Sequence, residues 1–76
     1  MNITRQQLKN GFRGHLYNGR EFVGGVYLID GKGYVLDVEY GEVRKVIAIH
    51  DPKNFRRTGS ERLSESRSVT VWEVAA

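Results

Sequence analysis

The sequence predicts an all-β domain with one short N-terminal helix, built as a small five-stranded antiparallel barrel or strongly curled sheet. Three observations carry this. The stretch from Phe22 to His50 alternates apolar and polar residues at the period of two that marks strands. Two tight-turn signals, Asp30-Gly31-Lys32-Gly33 and Tyr40-Gly41-Glu42-Val43, divide it into three successive strands. Paired glycines, Gly24-Gly25, interrupt the longest of these strands, as a bulge or bend does when a sheet curls. With 76 residues the chain is one domain, 1–76.

A helix is expected over 4–10. Thr4 and Gln7 form a capping box, and Ile3 and Leu8 occupy the positions of a hydrophobic staple. Asn10-Gly11 is the stop, with Gly11 free to take a positive φ. Two turns of helix are unstable alone, so Ile3 and Leu8 must pack on the remainder. The β-barrel then covers 12–74. Phe12 to Tyr17 reads as its first strand, and Asn18-Gly19 as a hairpin turn whose register stays open among several loop lengths.

In the middle of the chain, a three-residue loop closed by Gly33 would set Leu28 opposite Leu36 and Val26 opposite Val38. A two-residue Gly41-Glu42 loop would set Tyr40 opposite Val43, Leu36 opposite Ile47, Tyr34 opposite Ile49, and Glu39 opposite Arg44. Val26, Leu28, Tyr34, Leu36, Val38, Tyr40, Val43, Ile47 and Ile49 would then share the core face, with Lys45 intruding at its rim. Val35, Asp37, Glu39, Arg44, Val46, Ala48 and His50 would take the other face.

Asp51-Pro52 opens a turn or short 3₁₀ segment, with Asp51 as cap and Pro52 at the first position. The segment 51–67 shows neither the helical nor the strand period and is read as a long basic loop. Val69 to Val74 is the final strand and contains Trp72, the one tryptophan. This order of elements is similar to that of SH3-like barrels; the likeness is one of layout and rests on no motif. An OB-fold ranks second, because it usually places a helix where this chain has only Gly41-Glu42.

Composition narrows the function classes. Apolar residues make up 39% of the chain, enough for a folded core. There is no cysteine, which removes disulfides and the cysteine-rich zinc patterns. The first ten residues are polar, and no apolar run approaches a membrane span, so a soluble, cytoplasmic protein with no membrane partner is expected. The net charge of +3 is modest, and only clustering would make it a footprint for an anionic partner.

No motif for catalysis, metal or cofactor stands out. His15 and His50 match no metal-ligand spacing. Asp37 and Glu39 share a strand face but read as solvated carboxylates, and Ser60, Ser64, Ser66 and Ser68 have no base at an interpretable spacing. Gly31-Lys32-Gly33 lacks the rest of a phosphate-binding loop. No enzyme activity, cofactor or metal is therefore expected.

The candidate partner-binding residues are Lys53, Phe55, Arg56, Arg57, Arg62 and Arg67, all within 51–67. Arginine forks suit phosphates, and an exposed aromatic can stack on a base. The competing reading is a solvated loop with Phe55 tucked into the barrel. The leading expectation is a non-catalytic binding module that contacts nucleic acid or a nucleoprotein through this loop. The alternative is a small protein-binding inhibitor or adaptor, of the size common among bacterial and phage regulators, acting through a strand edge or an aromatic face that includes Tyr17, Tyr27 or Trp72. A homodimer pairing its edge strands is a third option.

Overall fold

The computed structural model describes residues 2–75. The chain runs α1 (Arg5–Gly11), β1 (Phe12–Asn18), β2 (Glu21–Ile29), β3 (Lys32–Glu39), β4 (Glu42–His50), a 3₁₀ turn (Pro52–Asn54), β5 (Phe55–Ser64) and β6 (Arg67–Val74). The strands form one sheet in the order β4-β3-β2-β1-β6-β5. All neighbours are antiparallel except β1 and β6, which pair in parallel through His15↔Val71 and Leu16↔Trp72. The sheet is six-stranded, mixed and open, where a five-stranded antiparallel SH3-like barrel was expected.

The sixth strand is the segment 51–67 itself. Its charged residues hide the strand period, because β5 is an edge with nearly every residue exposed, yet it pairs with β6 from Phe55↔Val74 to Ser64↔Arg67. The long basic loop therefore does not exist. A 3₁₀ turn and a ten-residue strand replace it.

The two edges of this sheet are joined directly. Strands lie about 4.8 Å apart, so a flat six-stranded sheet would separate β4 from β5 by about 24 Å. Five backbone steps lead from His50 to Phe55, which extend to at most about 18 Å. The 3₁₀ turn shortens that reach further, with Asp51 capping the Lys53 amide at 3.1 Å. The sheet must curl to bring its edges together at this corner. Phe55 accordingly lies against Gly33 of β3, where an added Cβ would stand 2.1 Å from the ring.

Curling covers both sides of the central strands. Val35 and Leu36 are adjacent in β3 and are 0% and 1% exposed. Leu36 belongs to a core of Leu8, Tyr27, Ile29 and Tyr34 beneath α1, edged by Ile3, Phe12, Val38 and Val43. Val35 belongs to a second core with Leu16 and Val26, against which Phe55, Trp72 and Val74 pack. Placing Val35 on a solvated face is thus corrected. Alternation distinguishes inside from outside only where one side of a sheet meets water.

The turns shift the expected pairings. Asp30 and Gly31 have φ of 52° and 75°, and Tyr40 and Gly41 have 54° and 74°, so both hairpins close on two residues with positive φ. Gly33 is not the left-handed residue. The first turn pairs Val26 with Val35 and Tyr27 with Tyr34, replacing the Leu28↔Leu36 and Val26↔Val38 expectation and exchanging the faces of β2. In the second hairpin Tyr34↔Ile49 is as expected. Closer to the turn Leu36 faces Val46, Val38 faces Val43 and Glu39 faces Glu42, because extra residues at Ile47 and Arg44 bulge out of β4.

The capping box and the burial of Leu8 are as expected. Thr4 caps α1, the reciprocal Thr4–Gln7 bonds are 2.9 and 3.1 Å, and Leu8 is buried. Gly11 ends the helix for a different reason from the one expected. A Cβ there would lie 2.5 Å from the Leu28 carbonyl oxygen, so close approach rather than a positive φ requires glycine.

Candidate functional site

Two bulges bring the aromatic residues of β1 and β2 onto the face that carries α1. Phe12 pairs with Tyr27 and Gly14 with Val26, so Arg13 is extra in β1; Leu16 pairs with Gly24 and Tyr17 with Phe22, so Val23 is extra in β2. Phe12, His15, Tyr17, Phe22 and Tyr27 consequently share one face. Their rings form a continuous row: Tyr27–Phe12 at 5.4 Å, Phe12–His15 at 5.8 Å, His15–Phe22 at 5.2 Å and Phe22–Tyr17 at 5.6 Å between centroids. Each contact is tilted or edge-on, as ring quadrupoles favour.

One end of the row is pinned from β5. Glu61 reaches past β6 to β1, its Oε1 lying 3.0 Å from His15 Nδ1, while Tyr17 donates to its Oε2 at 2.8 Å. These two bonds hold the Glu61 carboxyl below the ordinary carboxylate range, and the Tyr17 phenol is pushed up by donating to it. An ionised carboxylate only accepts, so Nδ1 of His15 carries a proton. When the ring is neutral, Nε2 is left as an acceptor.

Beside the row the sheet splits. β2 and β3 pair only from Gly25↔Leu36 onward, so Phe22 to Gly24 and Asp37 to Glu39 diverge. The opening is a groove of about 540 Å³ lined by Phe12, His15, Phe22, Tyr27, Leu36, Val38 and Ile47, with Asp37 and Lys45 as its other charged walls. It continues across Phe12, His15, Tyr27 and Val38 into a second hollow of about 480 Å³, bordered by Arg5, Lys9, Gly41 and Arg67. Four cations and one carboxylate therefore line the combined groove.

Tyr40 stands at the turn next to Gly41. Expected in the core, it is 88% exposed and holds a φ of 54°, a conformation costly for a residue with a bulky side chain. Phe22, in the ring row, is 54% exposed.

The residues singled out from the sequence are mostly elsewhere. Of the six, Arg67 alone borders the groove. Lys53 is exposed on the 3₁₀ turn, 3.8 Å from Asp51. Phe55 is half-buried between Gly33, His50 and Trp72, as the anchoring alternative had it. Arg56 pairs across the strands with Glu73, its Nε donating at 2.7 Å. Arg62 donates to the Ser64 and Glu65 carbonyls at 3.2 Å each, bracing the β5–β6 turn. Arg57 is exposed, opposite Trp72.

Arg5, Lys9, His15, Phe22, Lys45 and Glu61 are among the site residues that sequence reasoning missed. Their convergence depends on bulges and on a strand concealed by its charges. Among the described residues no group of three or more His, Asp or Glu is placed to hold a metal ion, and no helix is long and apolar enough to cross a membrane. Comparison with protein-family models, with curated proteins and with solved structures finds no match.

Proposed function

We propose that the protein is a non-catalytic binding module that holds single-stranded nucleic acid, free or within a nucleoprotein, in the groove beside the ring row. One observation carries this reading: a continuous row of aromatic rings runs alongside a groove lined by Arg5, Lys9, Lys45 and Arg67, with Asp37 as the carboxylate in the lining, Glu42 3.8 Å from Arg5 and Glu61 at the end of the row. Stacked bases are sequence-tolerant ligands for exposed rings, each worth about 1–3 kcal/mol, and cations along the groove follow the phosphates. Phe22 is the exposed ring of the row, and Tyr40 is exposed at the turn beside Gly41. This groove takes the place of the basic surface that the sequence suggests at 51–67, with Arg67 common to both.

The test is anisotropy of a labelled single-stranded oligonucleotide titrated at several salt concentrations. Lys9→Glu with Arg67→Glu should weaken binding at least about tenfold and flatten the salt slope by about 0.7 per lost contact. Arg56→Glu with Arg57→Glu, on the β5 edge outside the groove, should change it far less. Equal losses from the two pairs would leave only net charge at work and would overturn the groove.

A protein-binding inhibitor or adaptor is the second reading. It is favoured by the apolar side chains Val46, Ile47 and Ile49, which are 37–46% exposed on the β4 edge. Binding that is insensitive to salt and to Phe22→Ala would select it.

A further inference from the structure

β4 and β5 are both edges of the sheet, but they end it differently. β5 presents Arg56, Arg57 and Arg62. β4 presents Val46, Ile47 and Ile49, which are 40%, 37% and 46% exposed, beside exposed Arg44 and Lys45. A nine-residue edge strand with apolar side chains and an outward row of unpaired amides and carbonyls is a template for another strand. We infer that this strand is a second copy of β4, paired antiparallel about a two-fold axis at Val46 to make one continuous sheet across a homodimer.

The symmetry selects the register. Opposed residues in an antiparallel pair alternate between hydrogen-bonded and non-hydrogen-bonded types. A two-fold axis must preserve that type, so some residue has to face its own copy. β4 spans Glu42–His50, and its midpoint is Val46. Centring there overlaps the whole strand. Val46 then meets itself, Val43 meets Ile49, and Glu42 meets His50 at both ends. The remaining cations, Arg44 and Lys45, face Ala48 and Ile47, so no like charges oppose. Centring on Arg44 or Lys45 would set a cation against itself, and centring on Ile47 would set Arg44 against His50. The bulges at Arg44 and Ile47 flank Val46 and weaken the ladder on either side of it, in keeping with a weak dimer.

One strand pair buries little area, so assembly is expected in the micromolar range or weaker. Sedimentation of the untagged protein from about 10 μM to about 1 mM covers that range. The mass should rise from 8.7 kDa toward twice that value. The chain has no cysteine, so a single one reports the register. Under mild oxidation Val46→Cys should form a disulfide-linked dimer about tenfold faster than Lys9→Cys on the helix, because facing Cβ atoms at the axis lie within disulfide range. Val46→Lys should abolish the rise in mass. This test uses no nucleic acid, so it stands or falls apart from the groove. A monomer at every concentration would overturn the dimer. Dimerisation of Val46→Lys as strong as the wild type's, or crosslinking of Val46→Cys no faster than that of Lys9→Cys, would overturn the β4 seam.

Discussion

The two sides of the sheet are built from the same central strands but close differently. On one side Leu16, Val26 and Val35 are sealed by Phe55, Trp72 and Val74, which the curl carries over from β5 and β6. Trp72 completes the seal by donating its indole N–H to the Arg13 carbonyl at 2.8 Å. On the other side α1 covers only the Tyr27, Ile29 and Tyr34 end, and the groove with its ring row occupies the rest. A short helix hides one end of a sheet, whereas a hairpin folded across it hides the middle. The sealed side should respond to substitution through stability, and the grooved side through binding.

The largest effect should come from the centre of the sealed side. Val35→Asp places a carboxylate where the native side chain is 0% exposed, and should cost more than about 4 kcal/mol, enough to unfold a domain of this size. A melting temperature near that of the wild type would show that β5 and β6 do not close over β3.

Gly33→Ala sharpens the same point. The new methyl would meet the Phe55 ring at 2.1 Å, and the ring must move or the edges separate. A loss of about 1–3 kcal/mol in urea unfolding is expected. Combining it with Phe55→Leu should recover part of that loss, since the clash is with the ring.

On the grooved side the expected signs diverge. Tyr40→Asn relieves a positive φ and should stabilise by about 1 kcal/mol, while weakening oligonucleotide binding. A variant both more stable and equally tight in binding would remove Tyr40 from the site. Phe22→Ala should cost about 1–2 kcal/mol of stability, because half of the ring is buried against His15 and Tyr17, and should weaken binding of the still folded protein.

The smallest effect belongs to Glu61 and is read as a slope against pH. Its carboxyl titrates lower folded than unfolded, so its contribution is complete above the ordinary carboxylate range, about pH 4.3, and is lost as pH falls through the folded value. Glu61→Gln keeps the shape and the bond from His15, with its NH2 donating to the Tyr17 oxygen instead of accepting from it, and should flatten that acid limb in pH-dependent urea unfolding. Tyr17 acts in the opposite sense. Its contribution holds below about pH 10 and disappears as pH rises through its raised folded value.

Local chemistry made part of this molecule legible in sequence. The capping box from Thr4 to Gln7, the Asp51 cap with Pro52 behind it, and the strands flanking two Gly-containing turns all depend on neighbours a few residues apart. Tyr34↔Ile49 follows from the same local logic. The bulge at Val23 is marked by Gly24-Gly25 beside it, but those at Arg13, Arg44 and Ile47 are not legible, because they are set by whether partner strands fit. β5 was hidden because an edge strand in water need not alternate, and Val35 was misplaced because a curled sheet buries both its faces. The groove inherits both obscurities. His15 and Glu61 are 46 residues apart and meet only across β6. The sequence by itself determined α1, the turns between β1 and β4, and the strands that flank them, through contacts that each residue makes with its near neighbours. Tertiary structure alone decided which faces meet water and which side chains converge, because both depend on how far the sheet curls to join its edges.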